Sequence, residues 1–200
     1  MASKEQVEFY DNFIDHFESQ MDNGRNTDFR NWTKKWIYKP KKVLDLGCAF
    51  GYNSAHLLET GCEVHGIDIS PKCIMKAKRK YSKGVWHCGD ITDGFDPGIR
   101  DFDCVLLSDV IEHVPKDRHE HLFHVLGEWT KPVSILIASI PNPEIHERVV
   151  QQTYQPVEEK VEIPELLQNM QEGGFKTIIS LFLLQGIYYR MVVQKIGAAK

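Results

Sequence analysis

From residue 43 onward the chain alternates short apolar runs with helix-length amphipathic segments, and this alternation leaves few folds open. Apolar runs at residues 43–46, 63–67, 85–88, 104–107 and 133–139 have the length and composition of strands. Helical patterns separate them: one opening near Asn53 and stopped by Gly61, one from Ser70-Pro71 to about Tyr81, and one led in by Pro115 that ends near Trp129. Strands joined through crossover helices lie parallel. The tail breaks this pattern, because runs at 176–184 and 187–194 are joined by Gln185-Gly186 with no room for a helix, so they must pair as an antiparallel hairpin. The expected fold class is therefore α/β, with a mixed seven-stranded sheet of five parallel-type strands plus a C-terminal antiparallel hairpin, and helices on both faces.

The first 40 residues read differently. Phe9, Tyr10, Phe13, Ile14 and Phe17 recur at offsets of 3 and 4, which predicts one helix with an apolar stripe. Asp22-Asn23-Gly24 breaks it, and Trp32, Trp36 and Ile37 mark a second helix ending near Pro40. Residues 141–162 are punctuated by proline, and a further helix at 164–172 is stopped by Gly173-Gly174.

With 200 residues the chain has the size of one domain. A formal net charge of −4 disfavours nucleic acid as a partner. The apolar runs are too short to span a bilayer and the N-terminus is polar rather than signal-like, so no membrane partner is expected. Five cysteines without a CxxC pair read as reduced thiols, which points to a cytoplasmic setting.

The strongest motif is the strand-to-turn passage Val43-Leu44-Asp45-Leu46-Gly47-Cys48-Ala49-Phe50-Gly51. Its glycines permit close backbone approach to a ligand, and the helix after it presents free N–H groups. A dinucleotide fingerprint would need glycine at 47, 49 and 52, where this chain has Gly47, Ala49 and Tyr52. Asp68 ends the second strand, where a carboxylate can accept both hydroxyls of a ribose. A tight turn with a helix-capping acid is the plain alternative for this pair. Asp68, Asp90 and Asp109 all fall at the carboxyl ends of predicted strands, where ligands of open α/β sheets sit.

These residues resemble the glycine-rich first motif of class I S-adenosylmethionine-dependent methyltransferases, departing from it at Ala49, where that family usually has glycine. Val64 to Ser70 resembles the second motif, which implies Asp68 on the ribose and Ile69 against the adenine. Gly89-Asp90-Ile91 resembles the third, which implies Asp90 at the adenine amino group. The resemblance implies a Rossmann-like, doubly wound sheet over residues 41–195, with residues 1–40 as an N-terminal helical lid in which Tyr10 covers the cofactor, and 196–200 as a tail. It implies S-adenosylmethionine as cofactor, S-adenosylhomocysteine as product, and a binding set of Tyr10, Asp45, Gly47, Cys48, Ala49, Gly51, Asn53, Asp68, Ile69, Asp90, Ile91 and Ser108. Core packing is the other reading of the N-terminal stripe.

The segment Ser108-Asp109-Val110-Ile111-Glu112-His113-Val114 spaces two acids and an imidazole at offsets of 3 and 4, which one helical turn would bring together. It resembles segments of quinone-biosynthetic O-methyltransferases and small-RNA 2′-O-methyltransferases, in which the matching residues ligate a divalent metal. That implies Asp109, Glu112 and His113 as ligands of an ion such as Mg, with His146 as a further ligand by spacing. The reading preferred on chemical grounds makes His113 a general base, with Asp109 beside it as the other catalytic group, because imidazole titrates near neutrality and can take a hydroxyl proton. A structural histidine is the alternative. His119, His121 and His124 fall on a predicted surface helix and carry no assigned chemistry. The expected function is O-methylation of a hydroxyl on a small molecule, with a lean towards a sugar or glycan. RNA 2′-O-methylation, small-molecule N-methylation, a non-catalytic S-adenosylmethionine-binding domain and one domain of a larger protein stay open. Tyr154, Tyr188 and Tyr189 could stack on the acceptor or pack the hairpin.

Overall fold

A computed structural model describes residues 3–145 and 155–197. The chain divides into two compact units, Met1–Pro97 and Gly98–Lys200. Among the described residues there are seven strands, and the fold is the expected α/β type with a mixed seven-stranded sheet.

The first unit holds three helices, then β1 (Lys42–Leu46), α4 (Ala55–Glu59), β2 (Glu63–Asp68), α5 (Pro71–Lys80) and β3 (Val85–Cys88). Strand β2 lies parallel to both β1 and β3, with Asp45 opposite Gly66 and Asp68 opposite Cys88. The start of α5 is written into the sequence: Ser70 Oγ accepts from the Cys73 N–H, and Pro71 takes the first helical position, where no N–H is needed. Residues 1–40 depart from the single N-terminal stripe helix. Helix α1 (Lys4–Asn12) and α2 (Ile14–Gln20) are separate, divided at Phe13, and α3 (Gly24–Trp36) follows an Asn23 cap. The stripe side chains still gather, since Phe13 stacks on Phe9 at 5.0 Å and meets Phe17 edge-on at 5.1 Å. No residue of α1 is fully buried, so these rings mostly cover one another.

The second unit holds β4 (Phe102–Ser108), α6 (His119–Trp129), β5 (Thr130–Pro141), α7 (Ile163–Glu172), β6 (Phe175–Leu184) and β7 (Tyr188–Lys195). Strands β4 and β5 are parallel, with Ser108 beside Ser139. The tail forms the antiparallel hairpin that its spacing demanded. Gln185 and Gly186 both adopt positive φ, 52° and 73°, and β7 pairs with β5 on one side and β6 on the other. Helix α6 ends where the buried Lys195 ammonium donates to the carbonyls of Gly127 and Thr130, satisfying the open acceptors of its last turn. Among the described residues no helix is long and apolar enough to cross a membrane.

Candidate functional site

In the first unit the site grows from the end of β1. Gly47, Ala49 and Gly51 adopt φ of 64°, 46° and 82°, so the chain coils back on itself within five residues. The Cys48 N–H donates to the Ile67 carbonyl at 3.1 Å, strapping this loop to the end of β2. Asp68 then ties three elements together. Its Oδ2 accepts from the Ala49 N–H at 2.8 Å and its Oδ1 from the Ser70 N–H at 2.9 Å, so one carboxylate spans the glycine-rich loop and the entrance to α5. Burial pushes Asp68 up to about 6 despite these bonds, and Asp11 adds to the rise.

Asp45 lies deeper, at 2% exposure, with Oδ2 buried and lacking a hydrogen-bond partner. Desolvation pushes it up to about 7, a hydrogen bond with Ser54 opposes the rise, and Asp68 adds to it. Two neighbouring carboxyl groups with raised pKa and an open buried oxygen form a site where a ligand cation with N–H donors would be strongly favoured. Cys48 and Asn53 are buried in the same loop, and Tyr10 and Ile69 are half-buried.

Two structural roles in this unit were not visible in the sequence. The first belongs to Asp11, whose Oδ1 accepts from Ser70 Oγ at 2.5 Å and from the Lys72 N–H at 3.1 Å. It clamps α1 onto the first turn of α5, beside Asp68. The second belongs to Trp86. A side chain at Gly51, Gly66 or Gly84 would collide with its buried indole, whose Nε1 donates to the Tyr81 carbonyl. At Gly51 the absence of a side chain leaves room for the Trp86 ring. Asp90 sits at the end of β3, where its Oδ1 accepts from the Thr92 N–H and hydroxyl at 2.9 and 2.7 Å and caps the 3₁₀ turn Ile91–Asp93, in which Ile91 is buried.

In the second unit β4 runs through Ser108 into Asp109, which holds a φ of 54° while its N–H donates to the Ser139 carbonyl. A single 3₁₀ turn, Ile111–His113, follows. The helical turn that would align Asp109, Glu112 and His113 does not form. Glu112 is buried at 2% exposure, with Oε1 3.9 Å from His113 Nε2, and among the described residues no group of three or more His, Cys, Asp or Glu could hold a metal ion. Mg ligation by Asp109, Glu112 and His113 is thereby corrected; the fourth candidate, His146, lies outside the described residues, as does Tyr154. What the turn does position is the His113 ring. Its Nδ1 donates to the Val157 carbonyl at 3.1 Å and stands 3.4 Å from Glu158 Oε2. Glu158, which the sequence did not single out, is pushed up to about 7 by burial and then by Asp109. His119 is not at the surface: it is buried, with Nε2 2.9 Å from the Val114 carbonyl and 3.1 Å from that of Ile111, where it steadies the turn that bears His113. Tyr188 and Tyr189 lie at the start of β7.

Residues 43–133 match the family model of a methyltransferase domain. The chain is 32% identical over 106 residues to a ubiquinone biosynthesis O-methyltransferase of Azoarcus, covering 51% of this chain and 45% of that protein. Its fold matches a magnesium protoporphyrin IX methyltransferase from Synechocystis solved with bound SAH, at a TM-score of 0.77 and 15% identity over 95% of this chain and 97% of that one. The fold is thus the one these methyltransferases share, and the family match lies within residues 43–133. The fold also matches a TehB-like SAM-dependent methyltransferase from Corynebacterium glutamicum, with a TM-score of 0.73 at 16% identity, over 94% and 97% of the two chains. A small RNA 2′-O-methyltransferase of Xenopus tropicalis is 29% identical over 129 residues, 54% of this chain and 33% of that protein. The chain thus spans under half the length of these curated relatives.

Proposed function

We propose that the chain is an S-adenosylmethionine-dependent O-methyltransferase acting on a hydroxyl of a small molecule. The observation that carries the chemistry is the His113 hydrogen bond. A carbonyl can only accept, so the Val157 contact places a proton on Nδ1 and leaves Nε2 of the neutral ring with its lone pair. Such a nitrogen is suited to take a hydroxyl proton as the oxygen is methylated.

The donor site is assigned to the first unit. Asp45 fits a ligand bearing an α-ammonium group, because its buried Oδ2 has no donor and its pKa, raised first by burial, marks a carboxyl whose charged form lacks a counter-charge. Asp68, Gly47, Cys48 and Ala49 frame the same loop, and Ile69, Asp90 and Ile91 follow at the ends of β2 and β3. When bound, S-adenosylmethionine supplies an activated methyl on sulfur, so the protein's work is alignment and proton removal rather than covalent catalysis. Asp109 and Glu158 set the charge around His113. The relatives that methylate oxygen in ubiquinone biosynthesis support the choice of atom.

Calorimetric titration with S-adenosylmethionine, with and without a chelator, should give one binding event that the chelator leaves unchanged. Labelled methyl transfer should then be assayed on saccharides, phenols, amines and RNA. Label on a saccharide or phenol hydroxyl is expected; label confined to amines would overturn the reading, and label on RNA would move it to the 2′-hydroxyl class.

A further inference from the structure

Asp11 is joined to the glycine-rich loop by an unbroken series of hydrogen bonds. Its Oδ1 accepts from Ser70 Oγ at 2.5 Å, the Ser70 N–H donates to Asp68 Oδ1 at 2.9 Å, and Asp68 Oδ2 accepts from the Ala49 N–H at 2.8 Å. The series links α1, the start of α5, the end of β2 and the loop after β1. Ser70 is its pivot. That residue is fully buried, and its hydroxyl is committed on both sides, accepting from the Cys73 N–H at 3.1 Å and donating its one proton to Asp11. A hydroxyl held this way fixes the peptide of residue 70, which carries the N–H that orients the Asp68 carboxylate. Asp11 also accepts from the Lys72 N–H at 3.1 Å, one of the open donors in the first turn of α5. No residue of α1 is fully buried, so these two charge-assisted bonds weigh heavily in seating that helix.

We infer that Asp11 is a positioning residue of the donor site, holding Asp68 through Ser70 in the orientation that receives the ribose hydroxyls of the cofactor and so coupling the seating of α1 to cofactor affinity. This rests on the donor site proposed above. Each Asp68 oxygen spends one acceptor position on a backbone N–H and keeps a second, so the ionised carboxylate can still take two hydroxyls while its plane is fixed. Without Asp11 the buried Ser70 proton has to find a new acceptor, and any movement of residue 70 to reach one turns the carboxylate. Coupling of this kind is reciprocal: the affinity that a seated α1 lends to the cofactor, the cofactor lends to the seating of α1.

The charge of Asp11 gives the role a second signature. Burial raises the Asp68 carboxyl to about 6, and Asp11 adds to the rise. Asp45 of β1, Cys48 of the loop, Cys73 of α5 and Cys88 of β3 also interact electrostatically with this carboxyl. All four are retained when Asp11 becomes asparagine, so a difference between that variant and the wild type reports Asp68 through Asp11.

Calorimetric titration of the full chain with S-adenosylhomocysteine, from about pH 5 to about pH 8, tests the role. At the upper end Asp11→Ala is expected to weaken binding about tenfold, the size of one charge-assisted hydrogen bond. It should also erase the slowing of α1 amide exchange that the wild type shows on binding. Asp11→Asn keeps the acceptor oxygen and should bind within about twofold of the wild type there. Its gain in affinity with rising pH should come at lower pH than in the wild type, because Asp68 ionises earlier without the neighbouring charge. A role in folding alone would leave that midpoint in place, and should Asp11→Ala fail to fold, the midpoint of Asp11→Asn carries the test. Four outcomes overturn the inference while leaving the donor site intact: wild-type affinity in Asp11→Ala, an Asp11→Asn variant no tighter than Asp11→Ala, an unmoved midpoint, or wild-type α1 amides whose exchange the ligand does not slow. A wild type that binds no S-adenosylhomocysteine overturns the donor-site reading itself, and this inference falls with it.

Discussion

Two turns in this molecule leave a parallel strand by the same route and differ in how much of their support comes from far along the chain. After β1 the chain enters the left-handed region at Gly47, Ala49 and Gly51, and after β4 it does so at Asp109. The first turn is fixed by partners close in sequence and at the end of the next strand, through Asp68 and Ile67. The second has the same kind of strand-end tie, from the Asp109 N–H to the Ser139 carbonyl, and adds support from far along the chain, by the Val157 carbonyl on His113 and by the Glu159 N–H, which donates to the Glu112 carbonyl. The glycine-rich loop is thus held by nearby strands alone, while the loop that presents His113 also borrows support from residues 157–159.

The contrast predicts that damage to the second turn abolishes chemistry and damage to the first abolishes structure. His113→Ala should lower kcat by about a thousandfold, near the middle of the range for a lost general base, while cofactor affinity stays within error of the wild type and stability falls by only about 1 kcal/mol, the hydrogen bond to Val157. An unchanged kcat would remove His113 from the mechanism. Gly51→Ala should act in the reverse sense. Its Cβ would enter the Trp86 ring at a φ of 82°, and overpacking together with left-handed strain should cost about 3 kcal/mol in urea unfolding. Adding Trp86→Leu should recover part of that loss, since it vacates the contested volume.

Acid titration sharpens the comparison for the buried carboxyl of the first turn. Asp45 is raised in the folded protein from 3.8 to about 7, so the folded state holds a proton that the unfolded state has released. Stability from this group is complete below the unfolded value and is lost as pH rises towards 7. Linkage gives a loss of about 2 kcal/mol between pH 5 and pH 7. Asp45→Asn should flatten the curve over that window. The affinity of the wild type for a cationic ligand should rise over the same window, as the carboxylate forms, and a pH-independent affinity would show that Asp45 does not face the ligand's charge.

The same contrast explains what the sequence made legible. Strand and helix bounds came from local signals, such as the Ser70-Pro71 start of α5 and the Gln185-Gly186 turn, whose physics acts within a few residues. The cluster Asp45, Gly47 and Asp68 was readable because each residue lies at a strand end that hydrophobic periodicity locates. Trp86, Asp11 and Glu158 were not. Each acts through a contact distant in sequence, and no local pattern distinguishes a tryptophan that fills the gap above three glycines from one that packs an ordinary core. His119 and the expected ligand set failed for a related reason. A 3₁₀ turn and a left-handed residue replaced the α-helical spacing assumed for residues 109–113, and the imidazole at 119 was drawn inward to satisfy the carbonyls which that turn left open.

The smallest expected effect separates the two turns most cleanly, because it applies one substitution to each. Ala49 and Asp109 are both L-residues at positive φ, where a side chain costs about 1 kcal/mol relative to glycine. Ala49→Gly and Asp109→Gly should therefore each stabilise the fold by at most roughly 0.5 kcal/mol, after allowance for the greater freedom of glycine in the unfolded chain. Their consequences for turnover should diverge. Ala49 offers the loop only its N–H to Asp68, which glycine retains, so kcat should hold. Asp109 carries the charge that helps raise Glu158 beside His113, so its removal should slow turnover even as the protein becomes more stable. If both variants gain stability and both keep full activity, the left-handed aspartate after β4 is a feature of the turn alone and the strain it stores serves no chemistry.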